Sequence, residues 1–489
     1  MPLRMTVISE GMLMSDIRAA WLAMIQQYQL APQQPEGGQF WCSRLETISR
    51  DELRAIQSDK LRIAVQYAYE CIPFYRRKFD RIGLAPGDIR SVDDLRLIPV
   101  TTKQEMAQDL AEYSPWGTYT ALDDELWVKR GWQIFSSSGT TAQPRSFRYS
   151  QFDREIWAWA DARAMWAMGF RPGRDSALIA FGYGPHVWLW GVHYAFNLMG
   201  IPIVTAGGLD SSARARFIER YRPTILACTP SYALYLATVM RKLGFDPAAS
   251  SIRYLFCAGE PGYSIPATRR RLEETWQAEL HEFYGCTEAA PAAGGYTCAA
   301  VAARKEGPVS THFMDDLQIW EVVDENMQAL PDGQRGLTVV TNLCSEASPQ
   351  LRFLVGDYTT LTHEPCVCGR THSRAVGGML GRADDMLNVR GVTLFPSSIE
   401  DILRGLPMLG QEFAIVLTRE HDLDVLTIQV EVAPEVPAER HAEIAALVER
   451  EVRSHCELRP VVEVLIQGTL PPTEFKAKRV RDLRQSAQS

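Results

Sequence analysis

The sequence predicts an α/β protein in two parts: a large N-terminal domain over 1–381 with mainly parallel sheets and a β-rich portion, then a small α+β domain over 382–489. Three observations predict this. Between 175 and 285, short β-rich runs alternate with helix-length segments, the pattern of βαβ units on a parallel sheet. From about 317 to 362 the helical pattern stops and strands follow one another. The last hundred residues then read as a compact set of their own.

In chain order, 1–110 reads as largely helical. Ser49 is an N-cap candidate, followed by Asp51 and Glu52 in the first turn of a helix that runs to about Tyr69. The α/β core, 111–315, carries β runs at 176–181, 202–206, 224–228, 254–257 and 279–283. The β-rich part, 316–381, has strands at 317–323, 337–342 and 358–362, separated by turns such as Pro331-Asp-Gly333. The last domain has a helix at 396–403, strands at 412–418 and 425–432, a helix at 438–455 and a strand at 462–466. Gly381-Arg-Ala-Asp-Asp385 links the two domains, and there is no internal repeat or low-complexity tract.

A chain of 489 residues is too long for one small domain. Its 46% hydrophobic against 22% charged residues is enough for sizeable cores. The net charge of −8 argues against a nucleic-acid binder, which would present a basic face. No basic segment followed by an apolar one opens the chain, so a secretory leader is not expected. The most apolar stretch, 187–204, carries His193 and Asn197, and no membrane contact is expected. The cysteines lie mostly singly in apolar contexts, as at Cys228 and Cys257; reduced thiols of a cytoplasmic protein look like this.

Phe135-Ser-Ser-Ser-Gly-Thr-Thr-Ala-Gln-Pro-Arg145 is the most informative segment. Ser136 to Ala142 are all small, so the backbone can approach a ligand while hydroxyl and N–H groups grip phosphate oxygens. Taken alone, a surface turn explains it equally well. Four segments follow in order: His281-Glu-Phe-Tyr-Gly-Cys-Thr-Glu288, Leu354-Val-Gly-Asp-Tyr358, the linker Gly381–Gly391, and Pro472-Thr-Glu-Phe-Lys-Ala-Lys-Arg479. Singly, Thr287-Glu288 reads as a capped turn, Gly356-Asp357 as a turn, and Lys476 as one charge of a solvated basic tail. The ordered set outweighs these separate readings.

In that order the segments resemble those of the acyl-adenylate-forming, AMP-binding enzymes, and the resemblance covers nearly all of the chain. Within that superfamily the chain is most similar to the phenylacetate–CoA ligase family. The similarity rests on Ile72-Pro-Phe-Tyr-Arg-Arg-Lys-Phe79, Ile98-Pro-Val-Thr-Thr-Lys103, Phe181-Gly-Tyr-Gly184, His193-Tyr194, Thr229-Pro-Ser-Tyr-Ala233 and Val389-Arg-Gly-Val-Thr-Leu-Phe-Pro-Ser397. The resemblance implies a large N-terminal domain with a small mobile lid. It also implies ATP, Mg²⁺ and coenzyme A as cofactor and co-substrates of an acid–thiol ligase.

A carboxylate is a poor acyl donor, because it is negative and its leaving group would be oxide. Attack on the α-phosphate of ATP gives an acyl-AMP with a good leaving group, so catalysis needs positioning and charge neutralisation. By resemblance, Ser137, Ser138, Gly139, Thr140 and Thr141 hold the polyphosphate. Thr287 holds the α-phosphate, and Glu288 is the Mg²⁺ ligand. Asp357 accepts the ribose hydroxyls, supported by Arg382. Glu260, Pro261, Tyr284 and Gly285 line the adenine site. Lys476 reaches in from the lid to neutralise transition-state charge, and Asp384 is the hinge. Tyr183, Gly184, Trp188, His193, Ala258 and Gly259 border the acyl site.

Two positions depart from the family pattern. The loop usually continues Thr-Thr-Gly-Lys-Pro, whereas Ala142 and Gln143 stand here, so a pyrophosphate grip that is weaker, or shared with Arg145 or Arg148, is expected. Phe475, rather than glycine, precedes Lys476. Trp188 and Leu189 stand where phenylacetate ligases have glycines. Either they shorten the pocket, or the tryptophan packs its helix against the sheet. A small aromatic acid of benzoate or aminobenzoate type is the expected substrate. The acceptor is CoA, or alternatively a carrier-protein thiol or an amine, and a homodimer is left open. A non-catalytic nucleotide-binding regulator is the third reading, and Glu288, Asp357 and Lys476 argue against it.

Pro365-Cys-Val-Cys-Gly369 reads either as two buried thiols or as a knuckle giving two thiolates to a tetrahedral Zn²⁺. Some members of the family carry this knuckle with an upstream Cys…His pair. The resemblance therefore implies a structural zinc on Cys298, His312, Cys366 and Cys368, with His363 and His372 as reserves.

Overall fold

The structure, a computed structural model, describes residues 14–29, 35, 37–136, 145–292, 294–304, 309–390, 392–420, 423–473 and 479–484. Helices come first. In Arg50–Cys71, Ser49 caps the N-terminus, its Oγ accepting from Glu52 N at 3.3 Å. Leu53, Gln57, Lys60, Leu61, Ala64 and Ala68 recur at helical spacing and form the buried face.

The body strands begin with β1 (Gly131–Ser136) and β2 (Ser146–Ser150), an antiparallel pair on either side of the loop 137–144. Next come β3 (Ala177–Ile179), β4 (Ile203–Thr205), β5 (Ile225–Cys228), β6 (Tyr254–Ala258) and β7 (Glu279–Tyr284), all parallel and linked by helices. The antiparallel strands are β8 (Gly295–Tyr296), β9 (Ser310–His312), β10 (Gln318–Val323), β11 (Arg335–Asn342), β12 (Phe353–Thr362) and β13 (Arg374–Arg382). Among the described residues, β3 to β13 form one sheet in the order β10-β11-β12-β13-β9-β8-β7-β6-β5-β3-β4. The β-rich part is thus continuous with the parallel half. The joining strands β8 and β9 are two and three residues long, too short to stand out as sequence patterns.

The expected strand at 358–362 is corrected to Phe353–Thr362, so Gly356 and Asp357 lie inside a strand rather than in a turn. Gly356 has φ +84°, which costs glycine little, and it marks an irregular strand. The sheet also curls. The edge strand β10 and its neighbour β11 come round to the turn after β7, where Gln318 Nε2 donates to Ala289 O at 2.7 Å and Asn342 Nδ2 to the same carbonyl at 2.9 Å.

A buried ion pair ties the helix Gln151–Ala167 to the start of β10. Arg163 reaches both carboxylate oxygens of Asp316, at 2.8 and 3.2 Å. Burial alone would raise the Asp316 carboxyl, but Arg163, with His372 and Lys60, holds it at about 2.

The C-terminal domain has its own hydrophobic core, including Ile399, Ile415, Leu426 and Val448. Its strands are β14 (Leu387–Val389), β15 (Val392–Leu394), β16 (Leu409–Glu420), β17 (Leu423–Val432), β18 (Val461–Leu465) and β19 (Val480–Asp482), with helices Pro396–Arg404 and His441–Cys456. The main sheet runs β18-β17-β16-β19, and the edge strand β19 lies in a stretch whose sequence reads only as a basic tail. The domain meets the body through Asp401, which accepts from Ala267 N at 2.9 Å, and Gln411, which donates to Leu234 O and Thr238 Oγ1, each at 3.1 Å. Among the described residues, no helix is long and apolar enough to cross a membrane.

Arg163→Met should destabilise the fold by about 3–5 kcal/mol, because it leaves Asp316 buried without its main counter-charge. Denaturant unfolding of wild type and variant measures this. A loss within error would mean that Asp316 is neutralised by its other neighbours.

Candidate active site

β7 ends in Tyr284, and the chain turns through Gly285 and Cys286 into the single turn Thr287–Ala289. This is the C-terminal end of the parallel strands, the side on which open α/β sheets bind ligands. Tyr149 on β2 donates to Thr287 O at 2.6 Å and fixes the turn against the β1–β2 hairpin. Glu288 is only 4% exposed, and Arg145 Nη2 lies 2.7 Å from its Oε1. A buried carboxylate without a cation would be costly, so this group is a ready cation ligand. A single carboxylate together with phosphate oxygens and water suits Mg²⁺.

Asp357 on β12 stands opposite Arg382 on β13, whose Nε is 3.9 Å from Asp357 Oδ1. The Tyr284 hydroxyl donates to Asp357 Oδ2. Oδ1 is buried and has no hydrogen-bond donor among the described residues, so it can accept from a ligand hydroxyl. Burial raises the Asp357 carboxyl, while Tyr284, Arg382 and Lys103 pull it down. Burial first, then Glu288 and Asp357, push the Cys286 thiol up, and Lys103 opposes them. These groups therefore share one electrostatic neighbourhood.

Motif reading assigns no role to Lys103. The structure sets its ammonium 3.9 Å from where a Cβ on Gly356 would sit, beside Asp357. Its signal in the sequence was the run ending in Lys103 at a helix start, which carries no chemistry until the fold brings it to β12.

At the end of β6, Gly259 adopts φ +90° and is exposed, followed by half-buried Glu260 and exposed Pro261. Glu260 accepts from Ser231 N at 2.6 Å and from the Ser231 hydroxyl at the N-terminus of the helix Pro230–Lys242, so it braces the loop. Glu282 lies beneath the same loop and accepts from Gly262 N and Tyr263 N at 3.4 and 3.3 Å. Its burial pushes the carboxyl up to about 7 against those bonds.

The Tyr183 hydroxyl is 3.1 Å from His193 Nδ1, and burial lowers the imidazole. Gly184 O accepts from Trp190 Nε1 at 3.0 Å. Trp188 is half-buried, edge-on to Phe181 with ring centres 4.2 Å apart and 5.5 Å from Phe256, so it packs its helix against the sheet. Its indole Nε1 is buried without an acceptor among the described residues. Ala258, the last residue of β6, is buried beside Gly259.

Ser137, Ser138, Gly139, Thr140, Thr141 and Lys476 lie outside the described residues. Both flanks of the lysine segment are described, and Glu412 binds each. It accepts from Thr473 N and Oγ1 at 3.2 and 3.0 Å and pairs with Arg479 at 3.0 Å. Asp384 sits in the single turn Ala383–Asp385, directly after β13.

A second cluster lies elsewhere. Cys298, His312, Cys366 and Cys368 are all buried, and their ligand atoms lie within 4.8 Å of one another. Cys298 Sγ is 4.0 Å from Cys366 Sγ, and Cys368 Sγ is 3.7 Å from His312 Nε2. Four donors around Zn–S bonds of about 2.3 Å would stand roughly 3.8 Å apart, so the set fits a tetrahedral zinc. His312 is the histidine of the cluster. The two reserves are occupied elsewhere, His363 with Asp332 and His372 with Leu45 O at 2.7 Å.

The fold and these groups define an adenylate-forming enzyme. The AMP-binding enzyme family matches residues 131–342, and its C-terminal domain matches 391–484. The phenylacetate-coenzyme A ligase of Thermus thermophilus is 35% identical over 457 residues, covering 90% of this chain and 98% of that protein. The chain therefore belongs to the phenylacetate–CoA ligase family of AMP-binding enzymes. Among solved structures, 2-hydroxyisobutyryl-CoA ligase in the postadenylation state is 29% identical, covers 94% of this chain and 95% of its own, and superposes with a TM-score of 0.86. In its thioesterification state, with 2-HIB-AMP and CoA, the same ligase is 30% identical, covers 94% and 95%, and scores 0.68.

Glu282→Gln should change the pH dependence of stability. Folded Glu282 keeps its proton up to about 7 against an ordinary value of 4.5, so its contribution to wild-type stability falls as pH rises through that window. The variant should gain on wild type by about 3 kcal/mol between those limits. Parallel profiles from denaturant unfolding at pH 5 and pH 8 would show that Glu282 is ionised throughout.

Proposed function

We propose that this enzyme activates a small carboxylic acid with ATP and passes the acyl group to coenzyme A. The carboxylate oxygen attacks the α-phosphorus, the bond to pyrophosphate breaks, and acyl-AMP forms. The CoA thiolate then attacks the acyl carbon and AMP leaves with the electrons of the C–O bond. The observation that carries this reading is Asp357, whose buried Oδ1 has no hydrogen-bond donor among the described residues, with Tyr284 on its other oxygen and Arg382 nearby, beside the Glu288 turn. In this reading Oδ1 accepts a ribose hydroxyl, Tyr284, Gly285, Glu260 and Pro261 line the adenine, and Thr287 holds the α-phosphate. Ser137, Ser138, Gly139, Thr140 and Thr141 cradle the leaving pyrophosphate. Mg²⁺ bound at Glu288 would neutralise phosphate charge.

Tyr183, Gly184, Trp188, His193, Ala258 and Gly259 border the acyl group. A benzoate-sized acid is the first choice for this segment, in which Trp188 packs its helix against Phe181 and Phe256. The similarity to 2-hydroxyisobutyryl-CoA ligase supports a second choice, a short branched hydroxy acid. Pyrophosphate exchange against both classes, with mass spectrometry of the product formed when CoA is present, tests acid and acceptor together. Exchange without acyl-CoA would favour a carrier thiol or an amine.

The lid conformation supports the same reading. The higher similarity to a postadenylation state than to a thioesterification state suits a lid that turns about Asp384 between half-reactions. Lys476→Ala should lower acyl-AMP formation by at least about 100-fold while preserving the circular dichroism spectrum. Near-normal adenylation would remove the lysine from the first half-reaction, and loss of thioester formation alone would move it to the second.

We also infer a closed structural zinc on Cys298, His312, Cys366 and Cys368. Protein kept from chelators should contain about one zinc per chain by elemental analysis, and Cys366→Ser should cost stability more than turnover. Metal-free protein of full stability would leave the four side chains as a buried thiol cluster.

A further inference from the structure

The segment 136–144, assigned to the polyphosphate in the reading above, carries no lysine or arginine. The first cation after it is Arg145, just ahead of β2. Two contacts join this edge to the Thr287–Ala289 turn: Tyr149 to Thr287 O at 2.6 Å, and Arg145 to Glu288 at 2.7 Å. Both charged side chains are shielded, with 11% and 6% of their surface exposed, so the pair is part of the built site rather than a loose surface contact.

The other nearby cation is committed elsewhere. Arg148 is 4% exposed, donates to Leu122 O at 2.8 Å, pairs with Asp124, and lies over the Trp116 ring at 4.3 Å. It cannot turn to the phosphates without breaking all three contacts. The charge that the loop lacks therefore falls to Arg145 alone of the two.

We propose that Arg145 is the enzyme's polyphosphate-binding cation, and that without nucleotide its guanidinium holds the Glu288 carboxylate in the place of the divalent ion. The inference rests on the adenylating role argued above. Its physical basis is charge balance. A buried carboxylate needs a cation at all times, whereas a triphosphate brings several negative charges and a divalent ion of its own. When both arrive, the ion can replace the guanidinium at Glu288, and the guanidinium, still within reach, can turn to the β- and γ-phosphates. Its planar fork suits two phosphate oxygens at once, which a lysine ammonium does not match. The free enzyme should then bind divalent ions poorly until nucleotide is present.

Titration calorimetry on the full chain tests this with a non-hydrolysable ATP analogue plus Mg²⁺, with AMP, and with Mn²⁺ alone. Arg145→Gln should weaken the ATP analogue by roughly ten-fold or more while leaving AMP nearly unchanged, since AMP lacks the outer phosphates. The same variant should bind Mn²⁺ without nucleotide roughly ten-fold more tightly, because Glu288 is released. If Arg145→Gln does not fold, Arg145→Lys keeps a cation for Glu288 without the planar fork and should still weaken the ATP analogue relative to AMP. Equal weakening of AMP and ATP analogue, or no change in either, would overturn the proposal. Wild-type protein that binds neither nucleotide would instead sink the adenylating reading itself.

Discussion

The curl of the long sheet is the constraint on which the rest depends. β7 and β12 are separated by three strands in hydrogen-bonding order, yet Tyr284 at the end of one donates to Asp357 in the other. Gln318 on the edge strand β10 and Asn342 on its neighbour β11 close the same curl by binding Ala289 O. A flat sheet of this width would leave these groups far apart. Curling brings the end of the parallel half and the middle of the antiparallel half to one place. The short strands β8 and β9 permit the bend, and the Cys298, His312, Cys366 and Cys368 cluster lies beside it, drawing on β9 and on the segment between β12 and β13. A metal there would staple the bend.

Inside the curl, charge balance governs the site. Glu288 and Asp357 are both nearly buried, and each is faced by a cation from a different part of the chain: Arg145 ahead of β2, Arg382 on β13, Lys103 at a helix start. Such an arrangement tolerates exchange of one cation for another but not their removal. The C-terminal domain obeys the same logic on its own side. Glu412 binds both Thr473 and Arg479, so one carboxylate ties these two residues to β16.

Much of this was legible in the sequence. The parallel strands, the Ser49-capped helix and the two domains follow from periodicity and capping residues, because their patterns are long enough to be seen. The ordered motifs placed Glu288, Asp357, Arg382, Glu260 and Tyr284 in one functional set, and the structure brings Glu288, Asp357, Arg382 and Tyr284 together around Cys286 and the Thr287–Ala289 turn. The joining strands β8 and β9 could not be read, nor could β19 inside a basic tail, because such segments are stabilised by their neighbours and not by their own composition.

By itself, the sequence determined which chemical groups are available and in what order they occur, since identity and spacing are covalent facts. Only the tertiary structure decided which of them meet. It set Arg145 rather than Arg148 against Glu288, because Arg148 is held by Asp124 and stacked over Trp116. It put His312 rather than His363 or His372 beside the three thiols, because the other two imidazoles already have partners. It moved Lys103 from an anonymous helix start to the neighbourhood of Asp357. Each of these choices depends on contacts between residues far apart in the chain, and such contacts exist only once the sheet has curled and its buried charges have found partners.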